Sequence, residues 1–290
     1  MKNIKYFAPN TLEETLELLA EYGSRVSILA GGTDLVRDMN LEFAFPENIV
    51  WIGKIGLEYI ENNGDVIRVG AATRMQAAGT SQLLWEKATA VARAARKMAS
   101  PPVRSLATLG GNLCNASPGA DVGCALLGLG AEVVLTKLGG ERVVPLDQFF
   151  IGPKETVIQP GELMTEIRVK PTQNGEGSSY LKKGRRQAMT LAVLNATSRV
   201  KLDSDGKCES VFIAVGAAAP TPLRIRASEK ILLGQPFTEE AITEAAEQAS
   251  KEIKPIDDVH GTAWYRRKIA KVFVARTLRE AGKINGGGNN

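Results

Sequence analysis

The sequence predicts an α+β fold, and three observations support this prediction. Helix and strand patterns follow one another irregularly along the 290 residues, without the regular βαβ repeat of a doubly wound sheet. A polar stretch rich in Pro and Gly, residues 171–179, predicts a domain boundary. After that boundary, strand patterns around a turn signal come first and amphipathic helix patterns follow.

The N-terminal part begins with a helix signal. Thr11 and Glu14 form a capping-box pattern, and leucines recur at helical spacing up to Gly23, which ends the predicted helix. Residues 25–30 are typical of a buried strand, and residues 34–40 of a short helix. Further strands are predicted at residues 48–53, 65–73, 131–136 and 161–170.

The middle of the chain is rich in alanine and glycine. Residues 82–99 predict one long helix, which Pro101 and Pro102 stop because proline cannot continue a helix. A glycine-rich loop is expected at residues 107–121, and a short helix near residues 124–130.

The C-terminal part predicts a hairpin and two helices. Residues 191–202 and 210–219 flank an Asp-Gly turn signal and indicate an antiparallel pair. Residues 238–253 and 262–282 have the spacing of amphipathic helices. The tail, residues 285–290, is expected to be disordered.

Composition excludes several classes of protein. The net charge of +4 is too small to favour a nucleic-acid partner. Three cysteines without C-x-x-C spacing predict no metal site and favour a reducing compartment. The first residues have no apolar core of a signal peptide, and no apolar run reaches the about 18 residues of a membrane span. We therefore expect a cytoplasmic protein.

Other motifs are weak. Residues 128–133, GLGAEV, lack the third glycine of a dinucleotide fingerprint and precede a strand instead of following one. The basic run of residues 182–186 fits a solvated loop or an acidic ligand better than nucleic acid. His260, the single histidine, has no serine elbow with which to form a triad, so no catalytic residue is nominated.

Two glycine-pair segments are candidate phosphate sites. Residues 30–34 read Ala-Gly-Gly-Thr-Asp, and residues 108–112 read Thr-Leu-Gly-Gly-Asn. Glycine adopts a positive φ freely, and without a Cβ its N–H group can approach an anion. A plain turn explains either segment alone, whereas two segments of similar design favour a pyrophosphate between them. Asp121 follows the second segment, either as a helix cap or as a ligand for sugar-chain hydroxyls.

These two segments together resemble the FAD-binding medium subunit of the molybdenum hydroxylases, the xanthine dehydrogenase family, and are similar to that of carbon monoxide dehydrogenase. The resemblance extends over nearly the whole chain. It includes YFAPNTLEETLELL at residues 6–19, SPPVRSLATLGGNL at 100–113, GELMTEIRV at 161–169 and YLKKGRRQAMTLAVLNA at 180–196. Where many members read SPQIR, this chain has Pro102 and Val103 in the middle of the motif.

The resemblance implies a fold and a set of FAD contacts. The fold would be a two-lobed PCMH-type FAD-binding domain over residues 1–175, with lobes of about 1–55 and 56–175. A C-terminal domain over residues 178–284 would contain a three-stranded antiparallel sheet plus helices. Asp121 would bind ribityl or ribose hydroxyls, Leu163 would pack near the isoalloxazine ring, and Lys182 would approach its polar edge. The residues implied around the pyrophosphate are Leu29, Ala30, Gly31, Gly32, Thr33, Asp34, Leu35, Thr108, Leu109, Gly110, Gly111 and Asn112.

The resemblance also implies a function. The chain would carry FAD in a complex with a molybdopterin-binding large subunit and a small subunit that holds 2Fe–2S clusters. Electrons from those clusters would pass through FAD to NAD or another acceptor. Two alternatives stay open from the sequence: a self-sufficient small flavin oxidase, and a non-enzymatic assembly or scaffold subunit.

Overall fold

A computed structural model of the chain describes residues 4–187 and 189–283, so the predicted disordered tail lies outside the described residues. The strands of the described part are β1 Lys5–Phe7, β2 Val26–Leu29, β3 Asn48–Trp51, β4 Ile60–Asn62, β5 Ile67–Gly70, β6 Glu132–Lys137, β7 Gly140–Pro145, β8 Phe150–Gly152, β9 Glu155–Thr156, β10 Leu163–Val169, β11 Glu176–Gly184, β12 Ala192–Leu202, β13 Cys208–Gly216 and β14 Leu223–Arg224. The α-helices are α1 Leu12–Tyr22, α2 Leu35–Asn40, α3 Met75–Thr80, α4 Gln82–Lys87, α5 Thr89–Lys97, α6 Pro101–Arg104, α7 Leu109–Cys114, α8 Asp121–Leu127, α9 Arg226–Leu232, α10 Glu239–Glu252 and α11 Ala263–Lys283.

The N-terminal lobe contains a parallel sheet of three strands in the order β1-β3-β2. Thr11 caps α1 by accepting a hydrogen bond from the backbone N–H of Glu14, which confirms the predicted start of this helix. Gly23 caps its end with a φ of 55°. The prediction of a strand at residues 25–30 is confirmed, but the prediction that this strand is buried is wrong. Strand β2 lies at the edge of its sheet, so its residues are half-buried or exposed.

The second lobe contains a five-stranded antiparallel sheet in the order β4-β5-β10-β6-β7. Helices α3 to α8 pack in front of it, and alanines of α5 and leucines of α7 and α8 fill the core between them. Small alanine side chains let α5 lie close to α3 and α8, which brings three helices into one layer.

The single long helix predicted over residues 82–99 is wrong. The backbone breaks at Ala88, with φ −152° and ψ 49°, so two helices, α4 and α5, replace it. The predicted stop is also wrong in detail, because α5 ends before Met98 and Pro101 begins α6. Proline suits the first helical position, since its missing N–H has no helical acceptor there and its fixed φ is already helical.

The predicted glycine-rich loop is partly helical. Thr108 caps α7 by accepting from the N–H of Gly111 at 3.0 Å, so the second glycine pair lies within the first helical turn. Gly110 is required for packing, because a Cβ at this position would lie 2.7 Å from the carbonyl oxygen of Ala71. Close approach, and not a positive φ, therefore explains these glycines.

The C-terminal domain contains an antiparallel sheet in the order β11-β12-β13-β14. Its first three strands are the three that were expected, and β14 adds a two-residue fourth strand at the edge. The predicted hairpin between β12 and β13 is confirmed, with a φ of 74° at Gly206. Helices α9, α10 and α11 pack on this sheet around a second apolar core.

The two parts of the chain share contacts. Tyr180 of β11 and Ala214 of β13 belong to the core of the second lobe. Arg199 of β12 donates to the carbonyl oxygens of Lys170 and Leu129, at 2.9 Å and 3.3 Å, and forms a buried ion pair with Glu176. Across residues 4–187 and 189–283, no helix has both the length and the apolar character needed to cross a bilayer.

Candidate functional site

The first glycine pair lies between β2 and α2. Gly32 has a φ of 72°, which turns the chain from the strand into the helix. The backbone N–H groups of residues 31–35 donate to no other described group. Asp34 precedes α2, but its carboxylate makes no capping bond and lies 3.5 Å from Arg37. Five successive free N–H groups at a helix start form a surface suited to an anion.

Gly31 brings the two predicted segments together. A Cβ at Gly31 would lie 1.9 Å from the carbonyl oxygen of Leu106 and 3.1 Å from the Cα of Ala107. These residues lead directly into Thr108. The first segment therefore touches the chain that enters the second, although the two glycine pairs are far apart in sequence.

The second segment offers side chains in place of backbone donors. The N–H groups of Leu109, Gly110 and Gly111 are bonded to Thr73 O, Ala71 O and Thr108 Oγ1. The prediction that both glycine pairs present free N–H groups is therefore wrong for this one. Within the described chain, the buried Oδ1 of Asn112 has no hydrogen-bond partner. A carboxamide presents a donor or an acceptor by flipping, so Asn112 can bind a ligand at either end.

Asp121 forms the second half of the candidate site. It is the first residue of α8 and makes no capping bond, so the alternative prediction that Asp121 caps the helix is wrong. Its carboxylate instead accepts from Tyr180 Oη at 2.5 Å, Lys182 Nζ at 2.6 Å and Asn195 Nδ2 at 3.3 Å. The side chains of Asp121 and Lys182 are each 6% exposed. Two predicted site residues, 61 positions apart, thus form one buried ion pair.

Burial is the main influence on the pKa of Asp121 and of Tyr180. It raises the pKa of the Asp121 carboxyl, while the Lys182 ammonium, the Tyr180 hydroxyl and the Asn195 amide act in the opposite direction. Burial and the nearby Asp121 charge raise the pKa of Tyr180 well above its ordinary value. Tyr180 therefore keeps its proton and remains a donor to Asp121.

Tyr180 and Asn195 were missed as site residues. Tyr180 lies two positions before Lys182 on β11, so both side chains point to the same face of the sheet. That alternation was the signal that could have found Tyr180. Asn195 is paired with Lys182 across the strands, and this register cannot be read from the sequence.

Three alanines of the described chain adopt left-handed backbone angles. Ala99, Ala116 and Ala217 have φ values of 42°, 45° and 58°. Ala217 N–H donates to Pro118 O at 2.6 Å, which ties β13 to the segment that precedes α8. Such left-handed alanines persist only where surrounding contacts hold them, and they are enriched at functional sites.

Leu163 packs in the apolar core of the N-terminal lobe. It is 3% exposed and belongs to the apolar cluster of the N-terminal lobe, together with Leu16, Leu19 and Val50. Its packing explains the leucine without a ligand, so its contact with an isoalloxazine ring stays a prediction.

Comparison with known proteins identifies the family. Residues 2–172 match the family described as "FAD binding domain in molybdopterin dehydrogenase". Residues 179–281 match "CO dehydrogenase flavoprotein C-terminal domain". The chain belongs to the FAD-binding subunits of the molybdenum hydroxylases. This assignment confirms the family predicted from the two segments and makes the chain an oxidoreductase subunit whose cofactor is FAD.

Relatives of these FAD subunits match along almost the whole chain. The carbon monoxide dehydrogenase medium chain of Hydrogenophaga pseudoflava is 34% identical over 279 residues, covering 96% of each chain. The 6-hydroxypseudooxynicotine dehydrogenase complex subunit alpha of Paenarthrobacter nicotinovorans is 33% identical over 277 residues, covering 95% of this chain and 93% of its relative.

A solved structure supports the same assignment. It is that of carbon monoxide dehydrogenase from Hydrogenophaga pseudoflava which lacks the Mo-pyranopterin moiety of the molybdenum cofactor. It matches with a TM-score of 0.92 and 34% identity, covering 96% of this chain and 97% of the other. The family assignment contradicts a scaffold without flavin, and full-length likeness to a medium chain favours a subunit over a self-sufficient oxidase.

The residues present fit an FAD molecule. The free N–H groups of residues 31–35 suit a pyrophosphate, and the unpaired carboxamide of Asn112 lies on the neighbouring segment. Gly31 sits where a Cβ would collide with the backbone of Leu106, so the first segment can lie close to the chain that enters the second. The Asp121 carboxylate supplies acceptors for hydroxyl groups.

Proposed function

We propose that FAD binds with its pyrophosphate over residues 31–35 and beside Thr108 and Asn112. The run of unpaired N–H groups at the start of α2 is the observation that carries this proposal. A hydrogen bond to a charged group contributes about 1.5–3 kcal/mol, so a few of these donors suffice for tight binding without an arginine. Leu29, Ala30 and Leu35 shape this surface, and Leu29 and Val36 enclose Gly32.

Asp121 and Lys182 act as one unit in this proposal. The ion pair holds the carboxylate in place, so Asp121 can accept from ribityl or ribose hydroxyls with little loss of side-chain entropy. The Lys182 side chain lies beside the site, where a cation would stabilise negative charge on a ligand. Tyr180 and Asn195 orient the carboxylate and exclude water from it.

The chain would be the electron-transfer subunit of a larger complex in the cytoplasm. FAD supplies redox chemistry, because it accepts electrons singly and releases them in pairs. We infer that a partner with 2Fe–2S clusters delivers the electrons, that a molybdopterin-binding large subunit produces them, and that NAD or another acceptor receives them. The relatives named medium chain and complex subunit support partners, and three unpaired cysteines support a reducing compartment.

The test begins with the chain expressed alone. We expect a yellow protein whose visible spectrum is that of a flavin and which releases FAD, identified by chromatography after denaturation. The chain should also recover FAD after the cofactor is removed. A protein that stays colourless with added FAD would contradict the proposed binding site.

A second experiment tests the electron path. The isolated chain with FAD should show no oxidation of small aldehydes or heterocycles, because the proposal assigns substrate chemistry to another subunit. Electron transfer to an acceptor should appear only when the iron–sulfur and molybdenum subunits are added. Substrate turnover by the isolated chain would instead support a flavin oxidase.

A further inference from the structure

A second cleft lies outside the candidate FAD site, between α3, α4, α5 and α6. Its volume is about 380 Å³, and its walls include Gln76, Thr80, Trp85, Arg96 and Arg104. Gly79 lets α3 approach α5, since a Cβ there would lie 3.1 Å from the backbone nitrogen of Arg96. Neither Asp nor Glu lines this cleft, so its walls carry two positive charges.

The two arginines have no carboxylate partner within the described chain. Arg96 instead stacks over the ring of Trp85, at 6.0 Å from the ring centroid. Arg93, one turn earlier on the same helix, pairs with Glu280 at 2.9 Å. Arg93 of α5 therefore binds the C-terminal domain, whereas Arg96 of the same helix lines the cleft.

Arg104 has one edge of its guanidinium unoccupied. Its Nη1 donates to the carbonyl oxygen of Met98 at 2.7 Å. Its Nε is buried and has no acceptor, and no described group accepts from Nη2. The Nε and Nη2 edge is the one that binds a carboxylate through two parallel hydrogen bonds. A buried donor without an acceptor is costly in a folded protein, so an acceptor that reached this edge would stabilise Arg104.

We propose that this cleft binds a carboxylate group. Arg104 receives the carboxylate through its free edge after a small rotation of the guanidinium, and Arg96 adds a second positive charge. Trp85 holds the Arg96 side chain against the wall, and the amide of Gln76 lies within the same cleft. The carboxylate comes either from a small free acid or from an acidic side chain of a bound partner protein, since both present the same planar group.

The test uses the full chain, titrated both without FAD and after incubation with FAD, and sodium succinate as the probe. Isothermal titration calorimetry at constant ionic strength should show saturable binding, with sodium chloride as the blank. Arg96→Gln and Arg104→Lys should each weaken binding at least about tenfold, the second because lysine keeps the charge but lacks the two-bond edge. Arg276→Gln is the matched control, since Arg276 is an exposed arginine of α11 and should leave binding unchanged.

A local signal separates this cleft from the FAD site. In a Trp51→Phe, Trp264→Phe background, Trp85 is the remaining tryptophan, and succinate should change its fluorescence while the flavin spectrum stays the same. The proposal is overturned if no saturable binding occurs, if both arginine variants bind as the parent does, or if inorganic phosphate binds more tightly than succinate.

The source of the carboxylate follows from repeating the titration on the assembled complex. Succinate binding that disappears on assembly identifies a partner side chain as the natural occupant. Binding that persists identifies a free acid. Because all of these measurements read the cleft itself, they can fail while the FAD proposal holds, and the FAD proposal can fail while they succeed.

Discussion

Replacing Gly31 by alanine is the sharpest perturbation of the proposed FAD site. The added Cβ would lie 1.9 Å from the carbonyl oxygen of Leu106, about 1.5 Å short of the 3.4 Å at which ordinary contact begins. Backbone geometry fixes the position of the Cβ, and the oxygen belongs to the backbone of Leu106, so no side-chain rotation can relieve the overlap. The first segment must therefore move away from the chain that enters α7.

This displacement predicts a large loss of FAD affinity. A shift of this size lengthens the hydrogen bonds from the N–H groups of residues 31–35 beyond useful range. Losing one or two bonds to a charged group costs about 1.5–6 kcal/mol, which weakens binding by at least about tenfold. Overpacking itself should lower the free energy of unfolding by about 1–3 kcal/mol.

The assay is a titration of the flavin-free protein with FAD, followed by flavin fluorescence and by calorimetry. Gly140→Ala is the matched control, because a Cβ at Gly140 would meet no atom within 4 Å. Urea unfolding of both variants separates lost affinity from lost stability. If Gly31→Ala binds FAD as tightly as Gly140→Ala, the first segment does not hold the pyrophosphate.

The remaining predictions concern two ion pairs and one hydrogen bond made by the buried carboxylates Asp121 and Glu162. Lys182→Met should lower the free energy of unfolding of the flavin-free protein by about 3–5 kcal/mol, because Asp121 is left buried without its cation, and adding Asp121→Asn should restore part of the loss in urea unfolding. Equal stability of the single and double variants would contradict this coupling. Glu162→Gln should lower it by about 1–2 kcal/mol at pH 7, a value reduced because Arg142 is 40% exposed. The hydrogen bond from Arg142 lowers the pKa of Glu162, so this stability is present above the ordinary carboxyl pKa and is lost as pH falls through the lowered one. The difference between wild type and variant in urea unfolding should therefore shrink as the pH falls below the ordinary carboxyl pKa, and a constant difference would refute the assignment. Tyr180→Phe should weaken FAD binding in the same titration, since Asp121 loses a donor at 2.5 Å, and unchanged affinity would exclude an orienting role.

Local signals predicted most of the fold. Capping by Thr11, the turn at Gly206 and the paired strands β12 and β13 depend on neighbours in sequence, and all were read correctly. The break at Ala88 could not be predicted, because alanine favours a helix and only packing of α5 against α3 and α8 requires the chain to turn there. The exposure of β2 was also not predicted. It follows from the edge position of this strand in the sheet, and neighbouring residues in the sequence do not determine strand order.

The candidate site was predicted unevenly. Gly31 and Gly32 were identified by residue type, and the structure gives them the free N–H groups that the prediction required. Gly110 and Gly111 were given the wrong physical role, because the capping bond from Gly111 to Thr108 places them in a helix. The contact between Asp121 and Lys182 joins two domains, and no spacing within the sequence specifies such a contact.

Because the ion pair between Asp121 and Lys182 joins the two domains, the proposed function makes FAD binding depend on both of them. A fragment ending near residue 175 would keep the first glycine pair and α8 but lose the lysine, the tyrosine and the asparagine that surround the carboxylate. A fragment starting there would keep those three and lose their partner. Neither half would contain the complete cluster, so under the proposed function we expect flavin binding only when both domains have folded and docked. We therefore expect a mutation that unfolds the C-terminal sheet to lower FAD binding even where it lies outside the proposed site.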